Sequence, residues 1–145
     1  MARTSTYLNF MGKTEDAFNF YRSVFRTELA GQIQRMRDAP AAPGMPPLGE
    51  AEKKMIMHVE LPIVGGHVLM GTDALESMGH KLVFGTNVSI NLEPDTREEA
   101  RRLFTALARG GEVTMELQDM FWGAYFGSLT DKFGVQWMVN CAAAK

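Results

Sequence analysis

One helical pattern occurs twice in this sequence, and that internal repeat limits the fold more than any other feature. The first copy predicts an amphipathic helix over about residues 14–26, and the second predicts another over about 96–109. The copies are offset by 83 residues. Their matching apolar positions are Ala17, Phe20, Tyr21 and Val24 in the first copy and Ala100, Leu103, Phe104 and Leu107 in the second. A chain with this repeat is expected to fold as two similar modules.

The stretches around the two helices carry the alternating apolar and polar residues of β-strands. A glycine four residues before a methionine marks the last strand of each half, Gly66 to Met70 and Gly134 to Met138. The predicted strands cover about 4–10, 28–37, 54–61 and 66–72, then about 86–92, 112–118, 123–129 and 134–140. Each half is thus predicted to be a βαβββ module. We predict one α+β domain, 1–145, with modules at about 1–75 and 80–145 and helices packed on one face of the sheet.

Length, charge and cysteine content narrow the class of protein. With 145 residues the chain is long enough to bury a core, and its net charge of −2 gives no electrostatic case for nucleic acid. Its one cysteine, Cys141, cannot form an intrachain disulfide, and no apolar run is long enough to span a membrane. The first residues alternate instead of forming an apolar signal core. We therefore expect a cytoplasmic protein that binds neither nucleic acid nor membrane.

A proline-rich segment separates two predicted strands of the first half. Residues 38–54 contain four of the six prolines together with two glycines, so we expect neither helix nor strand there. A loop of this length in a compact domain is usually a lid over a site or a disordered insertion, and the residues favour neither.

The predicted strand at 86–92 alternates clearly. Asn87, Ser89 and Asn91 share one face, and Val88 lies on the opposite face, which is expected to carry the helices. Trp137 is expected in the core behind the sheet for the same reason. The polar face is either a shared functional surface or the solvated side of the sheet.

Two groups of residues are candidates for chemistry or recognition. His58 and Glu60 alternate along one strand, a spacing compatible with a general base and a neighbouring carboxylate, or with an ordinary solvent-facing histidine. Asp119, Trp122 and Tyr125 lie in the densest polar and aromatic cluster. That cluster is either a recognition loop at a cavity mouth, a dimer contact or a small satellite core.

Several motifs together resemble the PhnB-like branch of the glyoxalase, bleomycin-resistance and extradiol-dioxygenase superfamily, also called the vicinal oxygen chelate superfamily. They are Tyr7 to Phe10, Glu15 to Tyr21, His58 to Pro62, Val68 to Asp73, Gln118 to Gly127 and Thr130 to Trp137. The resemblance implies paired βαβββ modules that form a cupped mixed sheet, with a cavity on the concave face and the helices on the convex face. It also implies assembly as a homodimer.

Enzymes of that superfamily usually hold a divalent metal through one residue in the first and one in the fourth strand of each module. The resemblance places these positions at Thr6, Met70, Asn87 and Met138. A hydroxyl, an amide and two thioethers supply neither charge nor imidazole, so we expect no metal there and no cofactor. Methyltransferase is also a label used for this branch, but the chain contains no Gly-x-Gly and so lacks the usual glycine-rich nucleotide loop.

Two functions follow from these expectations. The first is a metal-independent binding protein for a small organic molecule, with Met70, Asn87, Ser89, Asp119, Trp122, Tyr125 and Met138 as ligand-binding residues. The second is a lyase, isomerase or dioxygenase of the same superfamily that uses His58 and Glu60 or a displaced metal site. A structural protein with an empty cup is a third possibility, because one fold supports many activities.

Overall fold

The computed structural model of the protein describes residues 1–40 and 43–142, and it divides into two compact units, Met1–Val83 and Phe84–Lys145. The first unit contains β1 (Thr6–Phe10), α1 (Thr14–Phe25), β2 (Gln34–Arg35), α2 (Glu50–Lys54), β3 (Ile56–Pro62) and β4 (Val68–Asp73). The second contains β5 (Ile90–Leu92), α3 (Arg97–Ala108), β6 (Glu112–Asp119), β7 (Tyr125–Thr130) and β8 (Gln136–Cys141). Short 3-10 turns cover Met36–Asp38, Val64–Gly66 and Glu76–Met78.

The two units share one sheet topology. The strand orders are β1-β4-β3-β2 and β5-β8-β7-β6, and in each sheet the first strand runs parallel to the fourth while the other pairs are antiparallel. Met70 pairs with Tyr7 and Glu60, and Met138 pairs with Asn91 and Ser128. The two methionines therefore occupy equivalent places, and the α+β prediction of two βαβββ modules is confirmed, with α2 as an addition. The prediction of one domain stays a prediction.

In each unit the long helix packs on one face of its own sheet. The buried side of α3 is the predicted one, with Ala100, Leu103, Phe104 and Leu107. The buried side of α1 holds Phe18, whereas Phe20 is only half-buried, so the prediction was wrong at that position. A Cβ at Gly71 of β4 would clash with the Phe18 ring, which explains a glycine inside a strand.

Buried aspartates connect the elements within both units. In the second unit, Trp137 is fully buried, as predicted, and its Nε1–H donates to Asp131 Oδ2 at 2.8 Å. In the first unit, Asp73 at the end of β4 is 3% exposed and accepts hydrogen bonds from the backbone N–H groups of Gly12, Thr14 and Ile56 and from the Thr14 hydroxyl. One carboxylate thus links the start of α1 to β3 and β4.

The strand predicted at 86–92 is correct only over its last three residues. The Gln136 side chain donates to the backbone oxygens of Gly85 and Val88, which holds the preceding segment as a loop. Val88 is 72% exposed, so its expected place on the helix-packed face is wrong. The first half shows a similar shortening, because the strand predicted at 28–37 is limited to Gln34–Arg35.

The proline-rich segment also departs from its prediction. Residues Glu50–Lys54 form the short helix α2, in which the Glu52 side chain accepts from the Gly49 N–H at 2.9 Å. Lys53 also pairs with Glu50 one turn away. Residues 41–42 of the segment lie outside the described residues. None of the helices in the described ranges is long and apolar enough to cross a membrane.

Candidate functional site

The sheet of the first unit has one face against α1 and one open face. Residues that pair across a sheet share a face, so Tyr7, Met70 and Glu60 form one row on the open face. Thr6 pairs with Leu69 and therefore lies on the helix-packed side. The first-strand position that neighbours Met70 on the open face is Tyr7. The placement of Thr6 in a common site with Met70 was wrong by one residue.

A hydrogen-bonded group of charged and polar side chains stands on this open face. The His58 Nε2 atom lies 3.3 Å from Glu60 Oε2, and the Tyr7 hydroxyl lies 3.1 Å from His58 Nδ1. Arg3 pairs with the same carboxylate at 3.1 Å. The structure therefore brings His58 and Glu60 together as the sequence predicted, and it adds Tyr7, which sequence reasoning missed.

The electrostatics of the group follow from these contacts. The hydrogen bond from His58, followed by that from Arg3, holds the pKa of the Glu60 carboxyl below its usual range. Burial, helped by the negative charge of Glu60, raises the pKa of the Tyr7 phenol. Tyr7 is therefore kept as a neutral phenol beside an ionised carboxylate.

One tautomer of the His58 ring satisfies both of its hydrogen-bond partners. In the tautomer with its proton on Nε2, His58 donates to Glu60, and its Nδ1 lone pair accepts from the Tyr7 hydroxyl. Both ring nitrogens of His58 are thus engaged, and Tyr7 is 48% exposed. Because both of its ring nitrogens are engaged, His58 is better placed to exchange a proton with a substrate through the Tyr7 oxygen than to take that proton directly.

An apolar cavity of about 950 Å³ lies within the first unit, and Asn9 and Thr72, which pair on the open face of the sheet, are among its lining residues. Its walls are the segment after β2, the ends of β1, β3 and β4, and the segment after β4. Its apolar lining includes Met36, Met45, Met57 and Met78 with Leu48, Leu75 and Leu82. The eleven methionines of the sequence are a signal for an adaptable cavity, but three of these four lie outside the strands, in segments without a periodicity from which a face can be deduced.

None of the predicted ligand-binding residues is among the residues that line this cavity, although Met70 shares the open face with Thr72, which does line it. Met70 stands on the open face of the first sheet, and Met138 stands on that of the second sheet beside Asn91 and Ser128. Asn87 and Ser89 lie in the loop before β5. Their role in binding stays a prediction.

The residues of the predicted polar and aromatic cluster in the second unit do not form a single group. The Arg97 guanidinium of α3 stacks on the Tyr125 ring at 4.5 Å and forms an ion pair with Asp119, so these two residues are tied to the helix. Trp122 instead is 54% exposed and packs edge-on against Phe121, with ring centroids 4.9 Å apart.

The residues at the superfamily's metal positions do not fit a divalent ion. Asn87 precedes β5, so its expected place beside Met138 was wrong. On the open faces, Tyr7 neighbours Met70 in the first unit and Asn91 neighbours Met138 in the second. A neutral phenol, an amide and two thioethers offer no anionic or imidazole ligand. Over residues 1–40 and 43–142, moreover, no three His, Cys, Asp or Glu side chains are grouped so that they could hold a metal ion.

Comparison with known proteins gives consistent matches over the whole chain. A sequence profile of a family described as 3-demethylubiquinone-9 3-methyltransferase matches residues 2–140. Protein YjdN of Escherichia coli (strain K12) is 34% identical over 140 residues, which are 94% of this chain and 92% of that protein. The crystal structure of protein PA1353 from Pseudomonas aeruginosa has a TM-score of 0.82 and 36% identity, and the match covers 99% of this chain and 100% of that one.

More distant structures extend the match. A putative 3-demethylubiquinone-9 3-methyltransferase, PhnB protein, from Bacillus cereus has a TM-score of 0.75 and 29% identity over 97% of this chain and 100% of that one. A glyoxylase/bleomycin resistance protein/dioxygenase domain from Frankia sp. EAN1pec has a TM-score of 0.66 at 9% identity over 98% of this chain and 92% of that one. The second likeness is one of fold alone, and the fold is that of the glyoxalase/bleomycin resistance proteins.

Proposed function

This chain belongs to the family described as 3-demethylubiquinone-9 3-methyltransferase, the PhnB-like branch of the glyoxalase/bleomycin resistance superfamily, and from that premise we propose that it binds a small organic molecule without a metal. The observation that carries the proposal is the cavity of the first unit. Its volume of about 950 Å³ lies at the upper end of the range of small-molecule sites, which are mostly apolar with a few polar groups.

The lining of the cavity supports a binding role. Thioether side chains are flexible and polarisable, so four of them can adjust to an apolar body of irregular shape. The phenol, amide and thioethers at the superfamily's metal positions support binding without a divalent ion.

The test is binding of the neutral fluorescent probe N-phenyl-1-naphthylamine, whose emission rises when it leaves water. We expect one equivalent to bind per chain, because an apolar cavity removes the probe from water. Met78→Trp should fill part of the cavity and weaken binding, whereas the matched variant Met115→Trp, on the exposed strand β6, should leave binding unchanged. Absence of saturable binding, or equal loss in both variants, would reject the proposal.

The open-face group of Tyr7, His58 and Glu60 favours a second candidate, an isomerase or lyase that moves a proton next to a carbonyl. The continuous path from Glu60 through His58 to the Tyr7 oxygen supports it. Such an enzyme would exchange deuterium from solvent into the α-position of a hydroxyketone, and Tyr7→Phe would abolish the exchange. Binding of the naphthylamine probe without any exchange would favour the first candidate.

A further inference from the structure

The charged side chains around the cavity of the first unit carry an excess of positive charge. Arg37, Lys53 and Lys81 line it, and Asp73 alone among its described lining residues is acidic. Lys53 is paired with Glu50 of its own helix at 2.9 Å, which offsets part of its charge. Arg37 and Lys81 are exposed, so they stand where the cavity meets solvent.

The carboxylate of Asp73, the acidic lining residue, accepts hydrogen bonds from other parts of the first unit. Asp73 accepts four hydrogen bonds, three on Oδ1 and one on Oδ2, from donors at the start of α1 and at the start of β3. A buried carboxylate with this many donors has its charge stabilised locally and has little capacity left for a ligand. Its single charge is fewer than the three cations of the described lining, so an excess of positive charge remains.

His80 contributes a hydrogen-bond donor to the same lining. Its Nδ1 atom accepts a hydrogen bond from the Leu75 backbone N–H at 2.9 Å, so the neutral ring has its proton on Nε2. An imidazole held in this tautomer offers an N–H to an oxygen acceptor in the cavity that it lines. The polar groups of the lining thus favour an acceptor, and the rest of the lining favours an apolar body.

We propose that the ligand of this cavity is an amphipathic organic anion, with an apolar body among the methionines and an anionic head group near Arg37, His80 and Lys81. This inference rests on the proposed binding function and names its ligand class. Charge-assisted hydrogen bonds to the head group fix its orientation, and apolar burial supplies the rest of the affinity.

A pair of probes with the same apolar body isolates the contribution of the head group. 8-Anilinonaphthalene-1-sulfonate carries a sulfonate, and N-phenyl-1-naphthylamine lacks it. We expect the sulfonate probe to bind about tenfold more tightly at low salt, because one charge-assisted contact is worth about that much. Salt should reduce the difference, since the rim cations are exposed. The double variant Arg37→Gln with Lys81→Gln should remove it, whereas Lys13→Gln with Arg109→Gln, the same charge change outside the cavity lining, should not.

Any other result contradicts a specific part of the proposal. Equal or tighter binding of the neutral probe rejects the anion while the binding function stands. Binding of neither probe rejects the binding function, and the inference with it. A sulfonate preference that survives Arg37→Gln with Lys81→Gln rejects the assigned cations. Loss of sulfonate binding in Trp122→Ala would place that probe on the exposed aromatic residues of the second unit and would also reject the inference.

Discussion

Glu60 makes the stability of the first unit depend on pH in a defined direction. Its pKa is held below the ordinary value of 4.5 by the hydrogen bonds from His58 and Arg3. A carboxyl whose pKa is lower in the folded state stabilises that state above its unfolded pKa, and the stabilisation is lost as the pH falls through the folded pKa. Because Glu60 is close to solvent, the effect is expected to be small.

The matched variants Glu60→Gln and Glu116→Gln test this dependence. We expect Glu60→Gln to lower the free energy of unfolding at about pH 7 and to lose that difference at a pH below the folded pKa of Glu60, where the carboxyl is neutral in both the folded and the unfolded state. Urea unfolding at the two pH values measures it. Glu116→Gln, on the exposed strand β6, should show no such pattern. A constant deficit of Glu60→Gln at both pH values would contradict the role of its charge.

At the scale of single residues, the sequence predicts which side chains share a face of one strand but not how neighbouring strands align. His58 and Glu60 were placed together correctly because they lie on the same strand. Thr6 was placed with Met70 wrongly because the register of β1 against β4 depends on the folded sheet. A shift of one residue moves a side chain to the opposite face, so Tyr7 was missed.

At the scale of elements, Asp73 holds α1, β3 and β4 together. The variant Asp73→Asn should lower the free energy of unfolding by about 2–4 kcal/mol, because an amide N–H₂ would replace an acceptor that buried donors require. Urea unfolding measures the loss, and Asp38→Asn is the exposed control. A change as small as that of the control would show that the four hydrogen bonds do not carry this connection.

Helices were easier to predict than short strands. The helices α1 and α3 were predicted within two residues because their apolar spacing extends over three turns. The strand β5 has only three residues, and the alternation that predicted a longer one continues into a loop held by Gln136. The helix α2 was missed because proline content indicates a loop, whereas its own five residues contain no proline.

At the scale of the whole molecule, the repeat predicted the order of helices and strands in both units, because a duplicated spacing requires duplicated elements. The cavity could not be predicted from it. Most of its lining comes from the segments after β2 and β4, and neither the repeat nor any periodicity of those segments determines their course. The sequence therefore predicts the repeated elements, but it does not predict the course of the loops that line the cavity of the first unit.

The surface of the second unit leads to a prediction about assembly. Phe121 is 96% exposed and packs against Trp122, so two large aromatic rings meet water at the turn between β6 and β7. Exposed apolar groups of this kind mark contact sites more often than free surface. The outer edge of β6 is a poorer contact, because Glu112 and Glu116 would bring like charges together there.

We therefore expect a two-fold symmetric homodimer in which the Phe121 and Trp122 rings of each copy are buried against the other copy. Sedimentation equilibrium at micromolar concentration should give the mass of two chains. The double variant Phe121→Ser with Trp122→Ser should shift the mass toward one chain, because removing the rings removes the apolar area that is buried. The control Val88→Ser, at another exposed apolar residue, should not change it. A monomer mass at every concentration, or a dimer unaffected by the double variant, would show that these rings do not form the contact.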